Sequence, residues 1–326
     1  MIGMAENAFE FENAGKTYHL WRRLRKIPCA GIVDVTLAVP RGIIFGLLGL
    51  NGAGKTTAMK LLVGLLKPDR GEVRVLGGTV SDPAVRARIG YLPEMPYLPM
   101  QLDVMSLLKY YGLMSGLRGM ELSERIGLAL ELTGLDPGRR DPVRYYSKGQ
   151  RQRAAMAQVL LHSPDVIFVD EPMSGLDPQG IRDMRELLVN LRASGVTVCL
   201  NSHQISEVER LCDRVGILAA GRLVKEGAVG DLLALARKRE YRLTLLVAGR
   251  GTRGREADRP ENWRITDVTV GEDRLAATLA AQRKRGARVL QILSRQGSLE
   301  EVLLEAVKEG PAERNPGDGG EGARQA

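Results

Sequence analysis

Cysteine is scarce in this sequence, with three residues in 326, at Cys29, Cys199 and Cys212. They form no CxxC pair and no metal-ligand spacing, which argues against a disulfide framework or a zinc module. They read as small hydrophobes in a reducing compartment. Aromatic residues make up 4% of the chain, and none is interleaved with Arg or Lys as a stacking platform for single-stranded nucleic acid would be. Long hydrophobic runs are missing too. A membrane-spanning helix needs roughly 18 consecutive apolar residues, and the most apolar stretch, residues 43–50, is strand-length and interrupted by Gly46 and Gly49. The first ten residues lack the charged and apolar regions of a signal peptide, so the chain is expected to stay inside the cell and not to cross a membrane itself.

What is present is enough apolar matter for a core, 44% of residues, and an excess of positive charge, +8. The basic residues gather at Arg22, Arg23, Arg25 and Lys26, across residues 237–255, and across 283–288. They read as solvated surface, with contact to acidic lipid or a partner as the alternative, and no nucleic-acid partner is expected.

Residues 9–226 alternate short apolar runs with longer helical patterns, the signature of an α/β domain with a mainly parallel sheet. Residues 43–48, 166–170 and 196–201 are apolar almost throughout, as strands covered on both faces must be. Between residues 102 and 145 helical spacing takes over, with Leu107, Leu108, Tyr111, Leu113 and Met114 on one side and Ile126, Leu128, Leu130 and Leu132 further on. The expected organisation is a main domain over residues 1–230 with a helical insert at about 95–148, and a small α+β domain over 231–310. In the latter, strands are expected at 241–247, 263–270, 274–279 and 289–293, followed by a helix at 299–307 entered through Ser298 and Glu301. Residues 311–326 have almost no apolar content and are expected to be a disordered tail.

The segment Gly49-Leu50-Asn51-Gly52-Ala53-Gly54-Lys55-Thr56-Thr57 follows the 43–48 strand and opens a helical run, which is the context a P-loop requires. Its glycines let backbone N–H groups turn inward on a phosphate chain, and the helix N-terminus adds the positive end of its dipole. Lys55 reaches the terminal phosphates, and Thr56 offers a hydroxyl to magnesium. A second element, the apolar strand 166–170, ends in two carboxylates, Asp170 and Glu171. If the extended conformation persists through both, they face opposite sides of the sheet and have different roles. Asp170 suits a magnesium shell, and Glu171 suits the base that orients or deprotonates water. A third element, Tyr146-Ser147-Lys148-Gly149-Gln150, precedes a helical run. Locally it is a helix start with Ser147 as N-cap and Gln150 closing a capping box, and the same helix end can also receive a phosphate.

Taken in order, these motifs resemble the ATP-binding cassette (ABC) family of nucleotide-binding subunits, over residues 9–227. Gly49 to Thr57 is similar to the family's Walker A loop, Ser147 to Gln150 to its signature loop, and Asp170 with Glu171 to its Walker B pair. Ser174 to Asp177 resembles the D-loop, His203 the switch histidine that holds the γ-phosphate, Glu94 the Q-loop position, and Tyr18 the aromatic residue that stacks on adenine. The resemblance implies a RecA-like P-loop NTPase core with an antiparallel β subdomain and a helical insert. It also implies ATP and Mg2+ as ligands, with Thr56, Glu94 and Asp170 around the metal. Two copies would pack head to tail, so that Ser147 and Gly149 of one meet the phosphate held by Lys55 of the other.

Two departures stand out: Glu94 replaces the usual glutamine and cannot donate a hydrogen bond, and Lys148 replaces the first of the usual glycine pair. Both resemble the bacterial branch that serves ABC-2 type exporters. That resemblance implies a separate transmembrane permease subunit and a place at the cytoplasmic face of the membrane. The expected docking surface is the helical insert with residues 94–101, where Met95, Tyr97, Leu98 and Met100 form an apolar patch, internal packing of these four being the alternative. A cassette that regulates a membrane machine without transport, and a cassette acting on nucleic acid or ribosomes, are the alternative readings.

Overall fold

The computed structural model describes residues 7–22, 25–236, 240–248, 263–295 and 298–309. The 311–326 tail, and most of the basic segment 237–255, lie outside the described residues.

In chain order, β1 (Asn7–Arg22) and β2 (Arg25–Pro40) pair as an antiparallel ribbon, and β3 (Ile44–Gly49) leads through the glycine loop into α1 (Lys55–Leu62). Next come β4 (Arg70–Val75), β5 (Gly78–Thr79), the one-turn α2 (Pro83–Arg86) and β6 (Ile89–Leu92). A helical stretch follows, with α3 (Val104–Met114), α4 (Gly119–Thr133), a 3-10 turn (Val143–Tyr145) and α5 (Lys148–Leu160). The α/β pattern then resumes with β7 (Val166–Asp170), α6 (Pro178–Ala193), β8 (Thr197–Asn201), α7 (Ile205–Leu211), β9 (Arg214–Ala219), β10 (Arg222–Ala228) and α8 (Val229–Ala236). The remaining elements are β11 (Glu240–Ala248), β12 (Trp263–Gly271), α9 (Glu272–Lys284), β13 (Arg288–Arg295) and α10 (Leu299–Glu309).

Among the described residues the strands form three sheets: β2-β1-β4-β5, antiparallel; β10-β9-β3-β8-β7-β6, parallel except for β10; and β12-β11-β13, antiparallel. β7 and β8 are buried along their whole length and β3 nearly so, which explains why all three are apolar runs without alternation. Phe9 of β1 reaches across the first two sheets, its ring 5.8 Å from Phe45 of β3 and 5.6 Å from Phe168 of β7. All three rings are essentially inaccessible, and burying each contributes about 1.5–3 kcal/mol. They lock the antiparallel sheet onto the parallel one.

The helices start and stop where short polar residues allow. Asp103 caps α3 by accepting from the Ser106 N–H, Asp177 caps α6 ahead of Pro178, and Gly134 ends α4 in the left-handed region. In the helical stretch Leu107, Leu108, Ile126 and Leu130 are buried, whereas Leu113, Met114, Leu128 and Leu132 are exposed. The apolar stripe of these helices is wider than the face that packs.

The chain divides into two compact units, residues 1–229 with 303–326, and residues 230–302. The second holds the β12-β11-β13 sheet and α9. Residues 274–279, expected as a strand, lie inside α9. Acidic Glu272 and Asp273 in its first turn, basic Arg283 and Lys284 in its last, and alanines between them suit a helix and its dipole better than a sheet. No helix among the described residues is long and apolar enough to cross a membrane.

A candidate nucleotide site and its exposed counterpart

The backbone of the glycine loop packs directly on another strand. Gly54, at the N-cap of α1, has φ +103°, and a Cβ there would sit 2.2 Å from the carbonyl oxygen of Gly31 on β2. Gly31 in turn has no room for a Cβ, which would meet Tyr18 Cε2 at 2.7 Å and Thr57 Cγ2 at 2.8 Å. The antiparallel sheet thus presses the loop into shape from one side, and Tyr18 is held there by its hydroxyl, 3.3 Å from Thr57 Oγ1. Lys55 is nearly buried, and its Nζ donates to the carbonyl oxygens of Gly49 (2.7 Å) and Leu50 (3.1 Å), which keeps the ammonium over the loop. Burial lowers its pKa, and the nearby carboxylates of Glu171 and Asp170 oppose that shift.

Strand β7 ends at Asp170, and the extended conformation does not persist. Glu171 has φ +50°, and its N–H donates to the Asn201 carbonyl oxygen at 2.8 Å. The two carboxylates are therefore separated by a left-handed turn and not by strand alternation. Burial raises the pKa of both; a hydrogen bond from Asn201 opposes the shift at Asp170, and the charge of His203 opposes it at Glu171. Asn201 Nδ2 donates to Asp170 Oδ1 at 2.5 Å, and His203 Nδ1 is 2.7 Å from Glu171 Oε2. The end of β8 holds the end of β7 because parallel pairing sets Asp170 opposite Asn201.

These groups open on one cavity of about 340 Å³. It is lined by Tyr18, Gly31, Asn51, Gly52, Ala53, Gly54, Lys55, Thr56, Thr57, Glu94, Asp170, Glu171, Asn201 and His203. A cavity with a phosphate-binding loop on one wall and two carboxylates on another is a nucleoside-triphosphate site in outline.

The family description "ABC transporter" matches residues 32–174. The chain is 32% identical over 311 residues, 92% of its length, to the daunorubicin resistance ATP-binding protein DrrA3 of Streptomyces coeruleorubidus, and that match covers 96% of the Streptomyces protein. The chain belongs to the ABC transporter ATP-binding protein family. It is also 45% identical over 203 residues to an uncharacterized ABC transporter ATP-binding protein of Nostoc sp.; this match takes in 61% of the chain and spans 60% of that relative's length. A solved ATP-binding subunit of an ABC transporter superposes with a TM-score of 0.60 at 30% identity, covering 70% of this chain and 92% of the other. The fold is that of a P-loop ATPase cassette.

Within the cassette, the expected residues Ser147, Lys148, Gly149, Gln150 and Asp177 do not line the cavity. Ser147 and Gln150 form the capping box of α5, with Ser147 Oγ accepting from the Gln150 N–H at 3.2 Å and Gln150 Oε1 accepting from the Ser147 N–H at 3.0 Å. Asp177 Oδ1 accepts from the Gly180 N–H at 2.8 Å. These two helix starts adjoin each other, since the Lys148 ammonium lies across Gly175 at a point 2.3 Å from where a Cβ would be. Ser147 and Lys148 are exposed. Gly49 and Leu50 stay off the lining as well, and meet Lys55 through their carbonyl oxygens.

Sequence reasoning missed Gly31 and Asn201. A lone glycine in a strand carries no signal. Asn201 has one, a polar residue closing an apolar strand, but only the register shows that it faces Asp170. The apolar patch is also redrawn: Met95 (86% exposed), Tyr97 (92%) and Met100 (41%) lie outward, while Leu98 is buried.

The donors fit magnesium. Thr56, Asp170 and Glu94 offer only oxygen atoms at one cavity, and Asn201 Oδ1 is a buried acceptor without a partner. Magnesium typically takes one or two protein ligands and completes its shell with water and phosphate oxygens.

Proposed function

We propose that the chain binds and hydrolyses ATP at this cavity and drives a separate transmembrane permease by ATP-dependent dimerisation, in an exporter. The observation that carries the reading is the convergence of Lys55, Asp170, Glu171 and His203 on a single cavity behind the glycine loop.

In this reading the loop N–H groups and Lys55 bind the β- and γ-phosphates, and Tyr18 stacks on the base. Glu171 orients the attacking water and takes its proton as the bond between the γ-phosphorus and the bridging oxygen breaks, releasing ADP and phosphate. His203 positions the Glu171 carboxylate and contacts the γ-phosphate. Bound magnesium, held by Thr56 and Asp170 with Glu94 beside them, supplies charge neutralisation on the phosphate oxygens.

The exposed starts of α5 and α6 serve a second copy, with Ser147, Lys148, Gly149 and Gln150 reaching the nucleotide of the partner cassette and Asp177 standing at the same interface. Two half-sites that close only around ATP turn binding into a closing motion and hydrolysis into release. In this reading the exposed Met95, Tyr97 and Met100 form the apolar surface that meets the permease, and the chain works at the cytoplasmic face of the membrane. The Streptomyces relative is named for drug resistance, which supports export among the possible outputs.

The test is phosphate release by the purified chain with Mg2+ and ATP, beside Lys55→Ala. The reading expects turnover in the parent and its loss in the variant; equal rates would overturn it.

A further inference from the structure

Asn201 closes β8 and is 3% exposed, so every polar atom it carries needs a partner inside the protein or the site. Its backbone oxygen accepts from the Glu171 N–H at 2.8 Å, and its Nδ2 donates to Asp170 Oδ1 at 2.5 Å. Its Oδ1 is buried and has no partner. The orientation of the amide follows from the contact itself, because exchanging nitrogen and oxygen would bring two oxygens to 2.5 Å. Asn201 lines the same cavity as Thr56 and Asp170.

We propose that Asn201 is a positioning residue for the divalent cation. Its amide nitrogen fixes the Asp170 carboxylate, and its free amide oxygen accepts a hydrogen bond from a water in the cation's shell. A donor of this kind has to be neutral. Lys or Arg at the same place would orient Asp170 equally well, yet would oppose the incoming cation, and a second carboxylate would leave Asp170 facing a like charge. An amide orients without adding charge and keeps one acceptor in reserve. Partners of metal-binding carboxylates commonly alter metal affinity 10- to 100-fold when removed.

The proposal rests on the nucleotide reading above, and the experiment separates the two. The full chain is titrated with ATP in EDTA, and then, at equal ATP occupancy, with Mn2+ followed by the EPR signal of the free ion. Asn201→Leu removes both polar ends at similar volume, and Asn201→Ala removes them without added bulk, so misfolding of one leaves the other. Asn201→Ser carries a hydroxyl that can both donate and accept. The expected result is metal-free ATP affinity within about twofold of the parent for Leu and Ala, a loss of Mn2+ affinity of roughly tenfold or more, and partial recovery with Ser. Unchanged Mn2+ affinity in the Leu and Ala variants overturns the proposal, as does a parallel loss of metal-free ATP binding. Absence of ATP binding by the parent chain overturns the nucleotide reading itself.

Discussion

His203 Nδ1 lies 2.7 Å from Glu171 Oε2, joining the residue just past β7 to a residue just past β8 across the mouth of the cavity. The histidine is more than half exposed at its side chain and the glutamate almost enclosed, so the pair spans from solvent to the interior of the site. Glu171→Gln keeps the shape and removes the base. Its turnover is expected to fall by about 10²–10⁴-fold with ATP affinity retained, measured by phosphate release and by equilibrium binding. Wild-type turnover in Glu171→Gln would remove Glu171 from the chemistry.

Two glycines of the same loop should behave differently. Gly54→Ala meets a backbone oxygen at 2.2 Å in addition to its positive φ, whereas Gly52, at φ +81°, has nothing within 4 Å of an added Cβ. Gly52→Ala is expected to cost about 1–2 kcal/mol in urea denaturation, from backbone strain alone. Gly54→Ala is expected to cost more and to abolish ATP binding, because the loop can make room only by leaving Gly31. Equal effects of the two would show that the contact with β2 does not shape the loop.

A nucleotide site shared between two copies can be tested with mixed variants. Lys55→Ala chains lack the phosphate grip and Ser147→Arg chains lack the exposed helix start, so neither is expected to dimerise with ATP alone. Mixed, they form one intact composite site per pair, and light scattering should report ATP-dependent association. Association by either variant on its own, or none in the mixture, counts against sharing.

Asp103 offers a stability test away from the site. Its pKa is lowered, mainly by the hydrogen bond from the Ser106 N–H, from an ordinary value of 3.8. A carboxylate with a depressed folded pKa contributes stability above its unfolded pKa and loses that contribution as pH falls through the folded one. Asp103→Ala is expected to lower stability by about 1 kcal/mol at neutral pH. In urea titrations the gap to the parent should narrow as pH drops below 3.8. A gap independent of pH would mean that the cap acts without its charge.

Much of the cassette could be read from local chemistry. The glycine loop between a strand and a helix, the carboxylates Asp170 and Glu171, and the Ser147–Gln150 capping box are short-range patterns in which each residue's role follows from its neighbours in the chain. The buried strands β3, β7 and β8 were legible because a strand covered on both faces must be apolar almost throughout. The helix α9 was misread because an exposed, alanine-rich segment has little periodicity to separate helix from strand.

Local chemistry determined which groups are the candidates for a phosphate site: Lys55, Thr56, Asp170 and Glu171, each in a motif that needs only its own segment. Tertiary structure alone decided how they are held. Gly31 shapes the loop from another sheet, Asn201 reaches Asp170 across a parallel register, and His203 meets Glu171 from the neighbouring strand end. The physical reason is that steric exclusion and hydrogen bonding act over a few ångströms in space, whereas Asp170 and Asn201 stand 31 residues apart in the chain.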